Sequence, residues 1–373
     1  MGSKRYMLCN GLGDTITKLA PKSRRFIDLF SGSGAVSWFV AEQFPIPVVA
    51  VDLQLYSSVL ADAILARTGP LEIRWVENWL QRAKAHAESS KGYQRAQQLQ
   101  NTIAVGAVHS AATSARELCA NSEYSICRAY GGYYYSALQS ILIACLRQTL
   151  PSDPSRKRVA LAALVQAASM CAAAPGHTAQ PFKPNSSAGR FLLEAWRKDV
   201  LEIVAQRAKE LSARFALVEG KSIVGDANIL ARELNVDDLV FLDPPYSAVH
   251  YSRFYHVLET IASGKDVEVS GEGRYPPQEL RPHSSYSVGT KSLSAIEDLL
   301  ATLGSRGCRV IITFPAGKAS NGLSGELVTS AAEKYFKVDS ATVHGRFSTL
   351  GGNAKIRSAR QTSEELVLSL RPR

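Results

Sequence analysis

The sequence predicts an α/β protein, with a mostly parallel sheet built from the two ends of the chain and a largely helical segment inserted between them. Short apolar runs at residues 25–30, 47–52 and 239–242 have the continuous hydrophobicity of buried parallel strands. A stretch with helical spacing separates the first two runs, as in a β-α-β unit. Residues 65–220 instead contain helical stretches without strand–helix alternation.

The expected sheet domain comprises residues 1–64 and 221–373, and the expected insertion comprises residues 65–220. A hydrophobic content of 46% and a charged content of 20% are typical of a globular protein with a sizeable core. No apolar run reaches the roughly 18 residues of a membrane span, and the N-terminus lacks a secretory signal, so we expect a cytoplasmic protein. The six cysteines are scattered without a Cys-x-x-Cys pair, and we expect no metal and no disulfides.

A β-α-β unit opens the chain. Its first strand ends in the loop Ser-Gly-Ser-Gly at residues 31–34, and its second strand ends at Asp52. Glycine allows a ligand to approach the backbone closely, and an acid 18 residues past Gly34 can accept hydrogen bonds from two ribose hydroxyls. A third glycine and a Gly-Lys-Ser/Thr sequence are missing, so a phosphate cradle is not indicated. An ordinary turn is the alternative interpretation of this loop.

The insertion carries most of the net charge. Residues 65–225 hold 20 Lys and Arg against 11 Asp and Glu, in a chain whose net charge is +10. A basic surface of this kind predicts a nucleic-acid partner, although a solvated basic helix is the alternative. A tyrosine–glycine cluster at residues 130–135 could stack on bases or pack in the core. The candidate nucleic-acid contacts are Tyr133, Tyr134, Arg156, Lys157, Arg158, Arg253, Lys355 and Arg357.

Strand signals return after the insertion. Further strands are predicted at residues 215–218, 222–224 and 309–314, with a closing antiparallel pair at 338–347 and 365–370. Ser294 fits a capping box with Glu297 and is expected to open a helix.

The central strand at residues 239–242 runs into Asp243-Pro244-Pro245-Tyr246. Two prolines carry the backbone rigidly out of the sheet, at the edge where open α/β sheets bind ligands. A proline-stiffened turn is the bland alternative. Asp243 and the Pro244 carbonyl can accept hydrogen bonds from an exocyclic amine, and Tyr246 can stack on the attached base. Such bonds free the amine lone pair to attack a sulfonium methyl, and a ribose acid without phosphate features suits S-adenosylmethionine.

These motifs resemble those of adenine-N6 DNA methyltransferases of the DNA adenine methylase family. Gly-Ser-Lys-Arg at residues 2–5 is similar to the family's N-terminal motif, residues 28–34 to its cofactor loop and residues 243–246 to its catalytic tetrad. The resemblance implies a seven-stranded Rossmann-like methyltransferase sheet, with the insertion as a target recognition domain. It further implies an enzyme that flips adenine out of duplex DNA and methylates it, leaving S-adenosylhomocysteine.

Residue roles carried over from the family divide into two groups. The implied catalytic residues are Asp243, Pro244 and Tyr246. The implied cofactor contacts are Lys4 for the carboxylate, Asp28, Phe30, Gly32 and Gly34 along the loop, Asp52 for the ribose and Asp226 for the adenine amine. For Asp226 a simple Gly-Asp turn is the alternative.

Several functions remain open alternatives. Cytosine-N4 transfer uses the same chemistry, although that group more often resembles Ser-Pro-Pro-Tyr, so Asp243 favours adenine. An RNA adenine substrate and an inactive DNA-binding homologue are the others. A cognate restriction endonuclease or a defence-system subunit is the expected protein partner, and no membrane is expected.

Overall fold

The structure of the protein is a computed structural model that describes residues 4–103, 108–348 and 360–373, except for the side chains of 345–348 and 360–363. The chain forms two compact units. The sheet unit takes in the described parts of Gly2–Gly69, Phe215–Ser252 and Pro282–Arg373. The helical unit takes in those of Pro70–Arg214 and Arg253–Arg281. Arg253–Arg281 therefore belongs to the helical unit, although the expected boundaries assigned these residues to the sheet domain.

The sheet unit is built on seven strands in the order β3-β2-β1-β4-β5-β7-β6. Strands β1 to β5 are parallel, and β7 is antiparallel to both β5 and β6. This arrangement confirms the predicted fold class and the closing antiparallel pair. The strands are β1 Arg25–Asp28, β2 Val48–Asp52, β3 Lys221–Val224, β4 Asp238–Leu242, β5 Arg309–Pro315, β6 Phe336–Ser348 and β7 Arg360–Pro372.

Residues 215–218 do not form the expected strand. The amide of Ala216 donates to the carbonyl of Arg67, which follows a helix, and the amide of Leu217 donates to the carbonyl of Ala41, which lies in a helix. Neither partner belongs to a strand. A short apolar run cannot be assigned from periodicity alone, which is why it was mistaken for a strand.

Side-chain alternation along the buried strands separates two apolar cores, one on each face of the sheet. Phe26 on β1 and Phe241 on β4 lie on one face, with stacked rings whose centroids are 6.4 Å apart. Val240 and Leu242, their neighbours along β4, belong to the core on the other face. Strand β4 is buried over its whole length. Because it is the central strand of the sheet, its carboxyl end emerges at the middle of the sheet.

The α-helices of the described chain pack on the sheet or form the helical unit. In chain order they are α1 Arg5–Leu8, α2 Leu12–Leu19, α3 Ala35–Gln43, α4 Leu55–Leu65, α5 Arg74–Glu88, α6 Tyr93–Thr102, α7 Val108–Ala120, α8 Ser125–Tyr130, α9 Ala137–Gln148, α10 Pro154–Cys171, α11 Gly189–Trp196, α12 Val200–Ala213, α13 Ala227–Ala231, α14 Tyr251–Ser263, α15 Ser292–Ser305 and α16 Gly325–Glu333. None of these helices has the length and apolar character needed to cross a bilayer.

Local capping explains where several helices begin. Ser136 forms a capping box with Gln139 at the start of α9, and the Asp153 side chain accepts from the Arg156 amide at the start of α10. Ser294 does not cap α15, contrary to the sequence prediction. That helix starts at Ser292, and the Ser294 hydroxyl donates to the Lys291 carbonyl within its first turn.

Candidate active site

Asp243 directly follows β4, between the carboxyl ends of β1 and β5. The Lys4 ammonium lies 3.1 Å from Asp243 Oδ1, and the Thr313 hydroxyl donates to the same oxygen over 3.1 Å. No residue in the described part of the chain donates to Oδ2 of Asp243. The carboxylate is therefore anchored through one oxygen, which leaves the other free to accept a hydrogen bond from a ligand.

Lys4 is a largely buried cation that contacts two carboxylates. Its Nζ donates to Glu365 Oε2 on β7 over 2.7 Å, and only 13% of the Lys4 side chain and 7% of the Glu365 side chain are exposed. Burial by itself lowers the pKa of Lys4, but Asp243 and Glu365 outweigh it and leave that pKa raised. The ammonium is therefore charged at any physiological pH. Glu365 accepts a hydrogen bond from the ammonium, and Asp243 forms an ion pair with it. The expected contact of Lys4 with a cofactor carboxylate stays a prediction.

The Pro-Pro-Tyr segment is held in place by Asn321, a fully buried side chain. The Asn321 amide donates to the carbonyls of Pro245 and Tyr286, each over 2.9 Å. Tyr246 meets Phe314 edge to face, with centroids 6.5 Å apart, and burial raises the pKa of its hydroxyl, which stays protonated. These contacts hold the segment that carries the Pro244 carbonyl.

The glycine loop after β1 has the backbone that its sequence predicts. Gly32 and Gly34 have φ values of +50° and +77°, in the left-handed region that favours glycine. A Cβ on Gly34 would also lie 3.1 Å from the indole nitrogen of Trp38. The Asp52 carboxylate accepts from the amides of Gly32 and Gln54, each over 2.9 Å. The acid at the end of β2 therefore fixes the loop backbone.

Two buried polar atoms beside this loop have no hydrogen-bond partner among the described residues: the Ser31 hydroxyl and Oε1 of Gln54. Orphaned groups of this kind are uncommon in protein interiors and suit a polar ligand such as a nucleoside. The residues present therefore fit S-adenosylmethionine as far as its nucleoside is concerned. Among the described residues there is no group of three or more His, Cys, Asp or Glu that could hold a metal ion.

Asp28 is buried beneath the same loop. Burial raises the pKa of its carboxyl to about 7, against hydrogen bonds from the Ser37 hydroxyl at 2.7 Å and the Phe30 amide at 3.4 Å. Through these hydrogen bonds the carboxyl connects the first turn of α3 to the glycine loop. Phe30 itself packs edge to face on Tyr286, with centroids 5.1 Å apart.

Asp226 caps α13, because its Oδ1 accepts from the amides of Asn228 and Ile229. The turn-like alternative describes its local geometry. The cap uses only Oδ1, and a carboxylate has a second oxygen that can accept hydrogen bonds. The expected contact of Asp226 with the adenine amine of a cofactor stays a prediction.

Tyr134 was expected to contact nucleic acid, and the structure corrects this expectation. The Tyr134 ring is fully buried within the helical unit, and its hydroxyl donates to the carbonyls of Thr178 at 2.7 Å and Gly273 at 2.9 Å. Tyr133 is only half-buried, and the guanidinium groups of Arg116 and Arg274 lie over its ring, 4.2 and 4.6 Å from the centroid.

The basic residues predicted to meet nucleic acid lie at different places. Arg156, Lys157 and Arg158 are all exposed in the first turns of α10. Arg253 is exposed, and its guanidinium lies 4.7 Å from the centroid of the Tyr275 ring. Lys355 and Arg357 lie outside the described residues. The described members fit a solvated basic surface in the helical unit, and their contact with nucleic acid stays a prediction.

Sequence reasoning missed three residues of this site: Thr313, Asn321 and Glu365. Glu365 stands at the start of an apolar run, Leu366-Val367-Leu368, in a strand that was correctly predicted. Strand alternation places it on the same buried side as Val367, and a charge on a buried strand face signals an ionic partner. The partner itself, 361 residues away in the sequence, could not be identified from that signal.

The sequence matches the model of a known protein family. The family model described as D12 class N6 adenine-specific DNA methyltransferase matches residues 1–134 and 185–293, together more than half of the chain.

Two relatives share shorter segments. The modification methylase LlaI of Lactococcus lactis subsp. lactis is 40% identical over 75 residues, which are 20% of this chain and 11% of the relative. The modification methylase StsI of Streptococcus sanguinis is 27% identical over 122 residues, 32% of this chain and 17% of the relative. The chain thus aligns with less than a fifth of either relative's length.

Proposed function

The chain belongs to the D12 class N6 adenine-specific DNA methyltransferase family, and from this premise we propose that it methylates N6 of adenine at specific sites in duplex DNA. S-adenosylmethionine is the proposed cofactor, and it supplies an electrophilic methyl group when bound. The glycine loop with Gly32 and Gly34, together with Asp52, would hold its nucleoside. No metal takes part in the proposed reaction.

The observation that carries the proposal is the one-sided anchoring of Asp243. Lys4 and Thr313 both engage Oδ1, so Oδ2 can accept a hydrogen bond from the target amine. Together with the Pro244 carbonyl, this acceptor draws both N–H bonds of the amine and concentrates its lone pair on nitrogen. Because both acceptors are fixed before the substrate arrives, no reorganisation is required during the reaction. Tyr246 would stack on the extruded base.

The helical unit is the proposed target recognition domain. Its exposed Arg156, Lys157 and Arg158 are suited to phosphate contacts, which set orientation and affinity without carrying sequence information. Tyr133 and Arg253 are the remaining described candidates on that unit. The sheet unit is correspondingly the proposed catalytic domain.

The biological setting is also a proposal. Two relatives carry the name modification methylase, and we place this chain likewise in restriction–modification or phage defence. Its protein partner would be a cognate restriction endonuclease or a defence-system subunit, and its location the cytoplasm.

The test is to incubate the purified protein with S-adenosylmethionine and either unmethylated duplex DNA or RNA, and to identify methylated nucleosides by mass spectrometry. We expect N6-methyladenine. Recovery of N4-methylcytosine, methylation of RNA alone, or tight DNA binding without any methyl transfer would each refute the proposal and identify the alternative. Modification-sensitive sequencing of DNA from a host that expresses the protein would then give the recognition sequence.

A further inference from the structure

Glu365 on β7 lies against the ammonium group that contacts the catalytic carboxylate. Its Oε2 accepts from Lys4 Nζ over 2.7 Å, and Lys4 Nζ lies 3.1 Å from Asp243 Oδ1. We propose that Glu365 is a positioning residue, which fixes Lys4 so that Lys4 and Thr313 together orient Asp243 toward the target amine. This inference rests on the proposed function, since it assigns Asp243 the role of acceptor.

Lys4 needs a partner that fixes its position, because a lysine is a point charge on a flexible four-carbon stem. The contact with Glu365 is called the tether here. Lys4 directly precedes α1, a helix of a single turn, so the backbone alone gives its side chain little definition. Glu365 is 5% exposed and belongs to a strand paired on both sides, with Pro315 on β5 and Val343 on β6. Because β7 is fixed by its two neighbouring strands, the contact with Glu365 also fixes the position of the Lys4 ammonium.

The charges around the pair explain why a carboxylate is needed. Asp243 and Glu365 face Lys4, and Asp28 and Tyr246 are the other titratable groups in electrostatic contact with this cluster. An ammonium group paired with a single carboxylate could shift between the two oxygens of that carboxylate. Two carboxylates on different elements, Asp243 after β4 and Glu365 on β7, define its position. Thr313, which is fully buried on β5, supplies the second donor to Asp243 Oδ1. The Lys4 ammonium and the Thr313 hydroxyl therefore both contact Oδ1, and none of the described residues donates to Oδ2.

Neither Glu365 nor Thr313 falls within the residues matched by the family model, which end at residue 293. Lys4 and Asp243 lie inside the matched ranges. The anchoring therefore joins two family positions to the last part of the chain, from β5 to β7, and it is assigned by this structure rather than by the match.

The first experiment measures steady-state methyl transfer by Glu365→Gln. A glutamine keeps the length of the side chain but removes its charge. We expect kcat to fall by about 10- to 100-fold, as when the loss of a supporting residue lets a reacting group move by about an ångström. The KM values for S-adenosylmethionine and DNA should be unchanged. Glu364→Gln is the matched control, since Glu364 is the preceding residue on β7, its side chain is 60% exposed, and it pairs with His344.

A double-mutant cycle tests whether Glu365 acts through Lys4. Lys4→Met should also lower kcat, and adding Glu365→Gln to it should cost nothing further, because the group that Glu365 positions is already gone. Additive losses would overturn the proposal. An increase in KM for S-adenosylmethionine with an unchanged kcat in Lys4→Met would also overturn it, and would show that Lys4 holds the cofactor carboxylate instead.

A readout without catalysis separates this inference from the proposed function. In the free protein, competitive acetylation followed by peptide mass spectrometry reports the reactivity of the Lys4 amine. Glu365→Gln should increase acetylation of Lys4, whereas Thr313→Val and Glu364→Gln should not. Unchanged reactivity in Glu365→Gln would overturn the tether even if the enzyme is active. If wild-type protein methylates no adenine but the Lys4 reactivities change as expected, the proposed function fails and the anchoring itself stands.

Discussion

Replacing Asp243 with asparagine is the sharpest test of the proposed chemistry, because the two side chains have the same shape. The asparagine oxygen is expected to stay toward Lys4 and Thr313, since the Lys4 ammonium can only donate and would repel an amide nitrogen. Its amide nitrogen then takes the place of Oδ2. A donor would face the N–H groups of the target amine where an acceptor is needed.

The expected loss in kcat follows from this replacement of an acceptor by a donor. One preorganised acceptor is lost, and losses of this kind cost about 100- to 1000-fold in kcat, or about 2.7 to 4 kcal/mol of transition-state stabilisation. The fold should survive the substitution, because Lys4 keeps Glu365 as a partner at 2.7 Å. Binding of cofactor and of DNA should change little, since the loss concerns the reaction and not the ground state.

The assay is single-turnover methyl transfer to duplex DNA, with binding of S-adenosylhomocysteine measured alongside by calorimetry. Asp237→Asn serves as the matched control, since Asp237 is exposed and lies immediately before β4. Turnover by Asp243→Asn close to that of the wild type would refute the role of Asp243 as acceptor. A loss explained entirely by weaker cofactor binding would refute it equally.

Asp52→Ala should weaken binding of S-adenosylhomocysteine by about 10- to 100-fold in calorimetry, because hydrogen bonds to a charged group are worth about 1.5–3 kcal/mol; unchanged affinity would contradict its ribose role. Asp28→Asn tests pH dependence by urea unfolding. Since burial raises the folded pKa of Asp28 to about 7, above its unfolded value, the wild type should lose stability relative to the variant as pH rises from about 4 to 7. A constant difference across that window would contradict this. Charge reversal at residues 156–158 should reduce the salt slope of duplex binding by about 0.9 for each phosphate that the protein no longer neutralises, without altering the methylated sequence. Charge reversal at Arg306 and Lys337, which are exposed on the sheet unit, is the control, and an equal effect per reversed charge would indicate nonspecific charge.

Much of the sheet was predictable because its elements are local patterns. The apolar runs of β1, β2, β4 and β5 indicate buried strands, and Gly32 and Gly34 indicate a left-handed turn before a helix. The Asp243-Pro-Pro-Tyr segment is likewise local, since two prolines end a strand in any context. Where local signals were ambiguous, as at residues 215–218 and at Ser294, the prediction was wrong because neighbouring segments decided the backbone hydrogen bonds.

The sequence by itself determined which groups carry the proposed chemistry: an acid after a central strand, a glycine loop and a second acid for a nucleoside. Only the tertiary structure decided what surrounds them. Tyr134 is buried, with its hydroxyl bonded to the carbonyls of Thr178 and Gly273, and Glu365 contacts Lys4 from the other end of the chain. The physical reason is that burial and ion pairing depend on which distant segments meet, whereas periodicity and turn chemistry are written within a few residues.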